Sequence, residues 1–305
     1  MNKTTATTIP TIFNTSRQRA QRMRAFKRHK PGDGADFLLE RAADDIADRV
    51  SLVSRQFDNV LEVFGHNGIT ADRLRGLPNV GRVERLESVG APDILVTPDE
   101  FNALPLAAGR YQLIVAPLCL HMFDDLPGIL VQLRRALAPD GLLLANLPGA
   151  GTLAELRDAL LMAETDVRGG AAMRLNPMAE LQELTGLLQR TGFALPVGDV
   201  DEIVVRYGSP MGLMQDLRAM GQGNALADSQ AGRRPMMNRE ILARMSVLYG
   251  ENYSDTDLRL RASFNVVSLS GWAPHESQQK PLAPGSAKTS LASVLGTKQG
   301  PARGN

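Results

Sequence analysis

The stretch VLEVFGHNGITADRL, residues 60–74, decides how the rest of the chain is interpreted. A short apolar run ends at an acidic residue, Glu62, and is followed by a loop with two glycines and a helix-like segment. This order of strand, loop and helix is typical of an α/β protein that binds a nucleotide, because glycine lets the backbone pass close to a ligand. Phe64 and His66 stand where further glycines are expected. The stretch alone therefore leaves open whether the loop binds a ligand.

Strand-like and helix-like segments alternate after this loop. Strands are predicted at residues 59–64, 81–87, 93–97, 111–117 and 142–148. Each of the last two, at 199–208 and 261–272, follows a pair of helix-like segments. Short apolar strands separated by helices indicate a parallel, doubly wound sheet that binds its ligand at the carboxyl ends of the strands. We predict an α/β, Rossmann-like fold with a seven-stranded, mostly parallel sheet over residues 36–274 and helical insertions at 150–195 and 209–255.

The two ends of the chain differ from this domain in composition. The first 32 residues hold eight Lys or Arg and no Asp or Glu. They predict a flexible basic arm over residues 1–35, suited to peripheral contact with an anionic surface, with a mitochondrial transit segment as the alternative. Residues 275–305 are small, polar and rich in Pro and Gly, which predicts a disordered tail. Because the arm lacks a clear amphipathic helix, we expect a bacterial cytoplasmic protein, with the mitochondrial matrix as the alternative.

The overall composition excludes several function classes. The formal net charge of +1 gives no bias toward nucleic acid, and no nucleic-acid partner is predicted. No apolar run reaches the length of a transmembrane segment. Cys119 is the only cysteine, which excludes an intramolecular disulfide and argues against a cysteine-based zinc site. The four histidines, at 29, 66, 121 and 275, are scattered, so we predict no metal site.

Residues at the predicted strand ends are candidates for a cofactor site. In class I S-adenosylmethionine methyltransferases the first strand ends in an acidic residue before a glycine-rich loop. A second acidic residue usually ends strand two and hydrogen-bonds a ribose, and a third often follows strand three near the adenine. Each position here also has a plainer explanation, as a solvated charge or a turn former. The candidates for binding S-adenosylmethionine are Glu62, Gly65, Gly68, Glu87, Asp99, Glu100 and Pro117.

The candidates for catalysis follow strand four or precede strand six. His121 is the side-chain type that transfers protons near neutral pH, although such a histidine often only packs against a core or cofactor. Asp124 or its neighbour Asp125 is most simply the N-cap of the next helix. Asp201 lies in the acidic run DVDE at 199–202, which suits a cationic substrate, although a solvated strand start explains it as well.

Motifs beyond the loop resemble one family. PLCLHMFDDLPGILVQLRRALAPDG (117–141), GTLAELRDALLMAETDVRGG (151–170), LTGLLQRTGFALPVGDVDEIVVRYG (184–208), LMQDLRAMGQGNAL (213–226) and GWAPHESQQKPLAPGSA (271–287) occur in this order. Together they resemble the arginine-hydroxylase assembly factor of respiratory complex I and its bacterial relatives. The resemblance runs from about residue 37 to 290 and implies a class I methyltransferase-like fold with an S-adenosylmethionine pocket. Relatives usually read LDLGCGxG where this chain reads LEVFGHNG.

Three functions remain open at this point. The first, implied by the resemblance, is hydroxylation of an arginine on a protein substrate such as a complex I subunit. The second is S-adenosylmethionine-dependent methyl transfer to an unknown substrate, which needs positioning rather than a catalytic dyad. The third is a non-catalytic assembly chaperone whose cofactor loop has degraded. The first two make the chain an enzyme of the methyltransferase superfamily, and this is the interpretation we favour.

Overall fold

The structure is a computed structural model that describes residues 11–30, 34, 36–228 and 236–278. Its strands are β1 (Phe57–Val63), β2 (Val80–Glu87), β3 (Ile94–Leu95), β4 (Tyr111–Pro117), β5 (Leu137–Pro148), β6 (Ala194–Tyr207) and β7 (Leu260–Trp272). They form one sheet in the order β3-β2-β1-β4-β5-β7-β6. The first five strands are parallel, and β7 is antiparallel to both β5 and β6. This confirms the predicted seven-stranded, mostly parallel, class I methyltransferase-like sheet.

Helices cover both faces of this sheet. In the described part of the chain they are α1 (Thr15–Arg28), α2 (Phe37–Ser51), α3 (Ile69–Arg75), α4 (Leu126–Ala136), α5 (Ala154–Arg168), α6 (Leu181–Arg190), α7 (Pro210–Ala219) and α8 (Arg239–Tyr253). Two lie between β5 and β6 and two between β6 and β7, where the helical insertions were predicted. Within these described ranges, no helix combines the length and the apolar character needed to cross a membrane.

Local sequence explains where these elements begin. The side chain of Asp125 accepts a hydrogen bond from the backbone N–H of Gly128 at 2.9 Å, so it is the N-cap of α4 as expected. Strand β5 begins at Leu137, earlier than the predicted 142, because Leu137 already pairs with Tyr111 before the register shifts. The central strands β1, β4 and β5 are almost wholly buried, which is why they read as continuous apolar runs.

The N-terminal segment differs from the prediction. Residues 15–28 form α1, a helix whose Gln18, Arg22 and Ala25 side chains are buried against the rest of the protein. The expectation of a flexible arm over residues 1–35 is therefore wrong for this helix. Its buried face has helical spacing but two of its three side chains are polar, so hydrogen bonds and charge hold it where apolar periodicity gives no signal. Residues 1–10, 31–33 and 35 of the predicted arm, and 279–305 of the predicted tail, lie outside the described residues.

Candidate functional site

The loop after β1 has the left-handed backbone of a glycine loop at two positions that are not glycine. Phe64 and His66 have φ angles of 50° and 54°, in the left-handed region that glycine adopts freely, and Gly68 has 85°. For a non-glycine residue this conformation costs roughly 1–2 kcal/mol. Both side chains are buried, which offsets that cost. The turn therefore has buried side chains at positions where glycine would leave room for a ligand.

The two remaining glycines make room for a buried ion pair. A Cβ at Gly65 would overlap the carboxyl group of Glu62, and one at Gly68 would lie 2.8 Å from the Cζ atom of Arg85. Glu62 accepts a hydrogen bond from Arg85 Nε at 2.7 Å and another from the backbone N–H of Ala71 at 2.9 Å. Burial raises the pKa of Glu62, and Arg85 opposes that rise. Glu62 therefore links β1 to β2 and α3, and Gly65 and Gly68 leave the space that this ion pair occupies.

The carboxylate predicted to bind a ribose already has partners inside the protein. Glu87 accepts hydrogen bonds from Arg22 Nη2 of α1 at 2.5 Å, from the backbone N–H of His66 at 3.0 Å and from Ser88. Arg22 also donates to the backbone carbonyl of Phe64 at 3.1 Å. The Arg22 and Glu87 side chains are 3% and 1% exposed, so water does not weaken this ion pair much. An arginine thus stands at the acid that, in nucleotide-binding α/β folds, bonds the ribose.

An aromatic cluster fills the space beyond the loop. The rings of Phe64, Phe101 and Phe123 lie 4.6 to 5.5 Å apart between centroids, and all three are buried. Phe101 follows the short helical turn Pro98–Glu100 that succeeds β3, so it lies on the side where the sequence predicts an adenine. Aromatic rings at these distances stabilise one another beyond their buried area. The side chain at position 64 therefore belongs to the core.

A small cavity remains at the carboxyl ends of β1, β4 and β5, between α1 and α7. Its volume is about 90 Å³, whereas sites for drug-sized ligands have roughly 300–1,000 Å³. Its lining includes Arg22, His66, Pro117, His121 and Gln222. No Asp or Glu of the described chain lines it. Glu87, the acid expected to bond the ribose, is already bonded to Arg22, and the cavity is small. The site therefore does not fit S-adenosylmethionine in the conformation described.

His66 lies against this cavity with both ring nitrogens unpaired. Neither Nδ1 nor Nε2 has a hydrogen-bond partner in the described part of the chain, although the residue is 2% exposed. Burial lowers the pKa of His66 to about 3, and the charges of Arg22, His29 and Arg85 act in the same direction. The imidazole is therefore neutral at pH 7, with one donor and one acceptor free to face the cavity.

The sequence-predicted proton-transfer residue, His121, also lines the cavity. Its Nε2 atom lies 3.0 Å from Oε1 of Gln222, which follows α7. Burial lowers the pKa of His121 to about 4. A general base works best with a pKa near the working pH, so this environment does not tune His121 for that role. The neighbouring Cys119 is buried, burial raises the pKa of its thiol, and its Sγ donates to the carbonyl of Val63.

Two other catalytic candidates lie outside the cavity lining. Asp124 accepts hydrogen bonds at 2.9 Å from the backbone N–H groups of Ile12 and Phe13, so it fastens the segment before α1. Asp201 forms an ion pair with Arg41 of α2 at 2.6 Å on the surface of β6. The structure therefore brings His121 to the cavity and does not bring these two carboxylates there.

The acidic residues after β3 are also directed elsewhere. Asp99 is exposed and does not line the cavity. Glu100 accepts hydrogen bonds from the backbone N–H and the hydroxyl of Thr97, which cap the helical turn and lower the pKa of Glu100. Pro117, at the end of β4, does line the cavity. In the described chain no group of three or more His, Cys, Asp or Glu is placed to hold a metal ion.

Comparison with known proteins identifies the family. A family model described as a methyltransferase domain matches residues 35–195. The chain is 32% identical over 272 residues to the mitochondrial arginine-hydroxylase NDUFAF5 of Danio rerio, which covers 85% of this chain and 82% of that one. It is 31% identical over 293 residues to the human protein of the same name, covering 93% and 83%.

Two further relatives show how wide the superfamily is. The malonyl-[acyl-carrier protein] O-methyltransferase of Laribacter hongkongensis is 32% identical over 206 residues, covering 68% of this chain and 64% of that one. The crystal structure of YcgJ from Bacillus subtilis shares the fold, with a TM-score of 0.50 and 11% identity, and covers 77% of this chain and 99% of that one. The relatives of this chain thus include proteins named as a hydroxylase and as a methyltransferase. The chain belongs to the methyltransferase-domain superfamily and, within it, to the family of the NDUFAF5 arginine hydroxylases.

Proposed function

We propose that this chain acts on an arginine of a protein client, as the resemblance to the complex I assembly factor implies, and does not transfer methyl groups from S-adenosylmethionine. The observation that carries this proposal is the buried ion pair between Arg22 and Glu87. A ribose bound to Glu87 would displace Arg22 and leave a buried charge without its partner. Breaking a buried pair in this way costs about 3–5 kcal/mol, which a nucleoside ligand would have to supply before it gained any affinity.

The extent of the similarity supports the same choice. The methyltransferase-domain match ends at residue 195, and the malonyl-[acyl-carrier protein] O-methyltransferases cover 57–68% of the chain. The hydroxylase relatives cover 85–94% of it. The similarity to the hydroxylases therefore includes residues beyond the common methyltransferase core, where a client protein is more naturally recognised than a cofactor.

The client we propose is a respiratory complex I subunit, on the strength of the motifs that resemble the complex I assembly factor. Part of the basic charge of α1 points into the protein, since Arg19 donates to the carbonyl of Ser88 and Arg17 to that of Leu226. Peripheral membrane contact through this segment would have to use its other basic side chains. A bacterial cytoplasmic location stays a prediction from the sequence.

A second candidate is a non-catalytic assembly chaperone, and one observation favours it. The cavity has no Asp or Glu in its described lining, and the acidic residues offered by the sequence are paired elsewhere, as in Asp199 with Arg49 and Asp201 with Arg41. A client arginine entering the cavity would bring a guanidinium with no carboxylate to receive it. A chaperone of this kind would bind the same client protein without modifying it chemically.

Two measurements test the proposal. Calorimetry of the purified chain with millimolar S-adenosylmethionine should show no binding. Hydroxylation would take one oxygen atom from molecular oxygen, with two electrons and two protons from an external reductant reducing the other atom to water. Mass spectrometry of complex I peptides from a deletion strain should show an arginine peptide that lacks this oxygen atom, and the wild-type gene should restore it. If the deletion strain and the wild type show the same arginine peptide masses, while complex I assembly is defective in the deletion strain, the chaperone is favoured. Cofactor binding together with a lost methyl group would overturn the proposal in favour of methyl transfer.

A further inference from the structure

Strand β6 forms an open edge of the sheet. It is 14 residues long, and among the described strands its only neighbour in the sheet is β7. Among the hydrogen bonds of the described residues, none from outside the sheet reaches the backbone of residues 197–206. A long edge with unpaired N–H and C=O groups can template pairing with another strand, and proteins usually shorten, bend or cover such edges.

The face of β6 that carries the even-numbered residues after 199 is exposed and partly apolar. Val200 is 46% exposed and Val204 is 50% exposed. Glu202 stands between them and Arg206 follows, and both are exposed. The odd-numbered Asp199 and Asp201 face α2 instead, where they pair with its arginines. Exposed valines beside an open edge are a surface suited to burial against another β-strand.

The charges on this face match a second copy of the same strand. If two β6 strands pair antiparallel about Val204, the two Val204 residues stand opposite each other, and Glu202 of each strand stands opposite Arg206 of the other. The Glu202 side chain has no hydrogen bond or ion pair to any described residue, and the Arg206 side chain has among them only a 3.5 Å surface contact with Asp257. Such exposed contacts are weak, so Arg206 is available. A twofold contact uses the same pair twice, as symmetric dimers require.

We propose that β6 is a homodimer interface, in which the β6 strands of two copies pair antiparallel about Val204 and join their sheets. The partner is a second copy because the Glu202 and Arg206 positions complement themselves in this one register. Opposite charges placed directly across an antiparallel pair are stabilising and like charges are destabilising. This proposal does not depend on the function proposed above, since it uses none of the cavity residues.

Sedimentation velocity of the full chain over a range of concentrations tests it by charge exchange. The wild type should dimerise. Glu202→Arg alone and Arg206→Glu alone should each weaken dimerisation by roughly tenfold or more, because each puts like charges opposite one another twice. The double variant Glu202→Arg, Arg206→Glu should restore the wild-type constant. Glu251→Arg, an exposed reversal on α8, is the matched control and should leave the constant unchanged.

Several outcomes would overturn the inference. A wild type that stays monomeric throughout would do so and would leave the edge to a different protein strand. So would a dimer that is indifferent to the single reversals, or a double variant as weak as either single one. Circular dichroism of each variant checks that the fold is kept. Val204→Lys, which introduces a charge at the centre of the contact, should give a monomer whose circular dichroism spectrum matches that of the wild type.

Discussion

Among the basic residues of α1, Arg22 is the one whose replacement should lower the free energy of unfolding most. Its guanidinium bonds Glu87 and the Phe64 carbonyl in a buried setting. Replacing it with Ala leaves the Glu87 carboxylate buried without a counterion, which should cost about 3–5 kcal/mol. Urea denaturation measures the change. Arg24→Ala, at an exposed position of the same helix, is the control and should stay within about 0.5 kcal/mol of the wild type.

A smaller loss in a double variant would show that the ion pair, and not the packing of the arginine stem, carries the effect. Arg22→Met with Glu87→Gln removes both charges while keeping most of the volume. Such replacements of a buried pair are often neutral or stabilising. If Arg22→Ala alone costs less than about 1 kcal/mol, an exposed-pair energy, then the ion pair is not buried as described.

The two cavity histidines should make stability depend on pH. Burial lowers the pKa of His66 to about 3 and that of His121 to about 4, while each binds a proton near pH 6.5 in the unfolded chain. Below pH 6.5 the unfolded state therefore binds more protons, and the free energy of unfolding falls as pH falls. The loss reaches about 1.4 kcal/mol per pH unit for each histidine. The loss of stability should end near pH 4 for His121 and near pH 3 for His66, the pKa values of the folded state.

Denaturation at pH 7 and pH 5 checks this expectation. His66→Gln should lose less stability than the wild type between these two values, by up to about 2 kcal/mol. Arg22, Arg85 and His29 surround His66 with positive charge, so their presence adds to the effect of burial. His275→Gln, at an exposed position, should keep the wild-type dependence. An unchanged slope in His66→Gln would mean that His66 is reached by water and titrates normally.

At the scale of elements, apolar periodicity predicted every strand and most helices. It placed Glu62 near the end of β1, which is a largely buried apolar run, and Glu87 at the end of β2, where apolar residues alternate with polar ones only in part. It missed α1, whose buried side chains are mainly polar, and so it missed the partner of Glu87. The partners of the predicted acids are arginines distant in sequence from the loop, and no local pattern specifies which arginine reaches which carboxylate.

Asp124 should control how firmly α1 is held. Its partly buried carboxylate accepts two backbone hydrogen bonds just before the helix, and each such hydrogen bond contributes roughly 0.5–1.5 kcal/mol. In Asp124→Ala, hydrogen exchange monitored by mass spectrometry should speed up across residues 12–28. Asp125→Ala is the matched neighbour, because it removes the N-cap of α4 and should affect exchange mainly there. Equal effects of both variants on α1 would contradict the role given to Asp124.

The whole molecule combines an intact methyltransferase-type sheet with a site closed by side chains from separate elements. Phe64 and His66 come from the β1 loop and Arg22 from α1. Because the scaffold and the acid at the end of β2 remain, removing those three side chains should reopen the site. We expect Phe64→Gly, His66→Gly and Arg22→Ala together to give calorimetric binding of S-adenosylmethionine, in contrast to the absence of binding that we propose for the wild type. The two glycines also remove left-handed strain of roughly 1–2 kcal/mol each.

The control is the double variant Phe64→Gly, His66→Gly, which restores the glycine-type loop and keeps Arg22. It should not bind, because Glu87 still holds its guanidinium and offers nothing to a ribose. A thermal melt must accompany each titration, since the triple variant loses the aromatic contacts of Phe64 and the ion pair. If the double variant binds as well as the triple, the loop side chains alone close the site and Arg22 is incidental. If the folded triple variant still fails to bind, Phe101 and Phe123 also fill the space that the cofactor needs. Removing the three side chains would then not be enough to reopen the site.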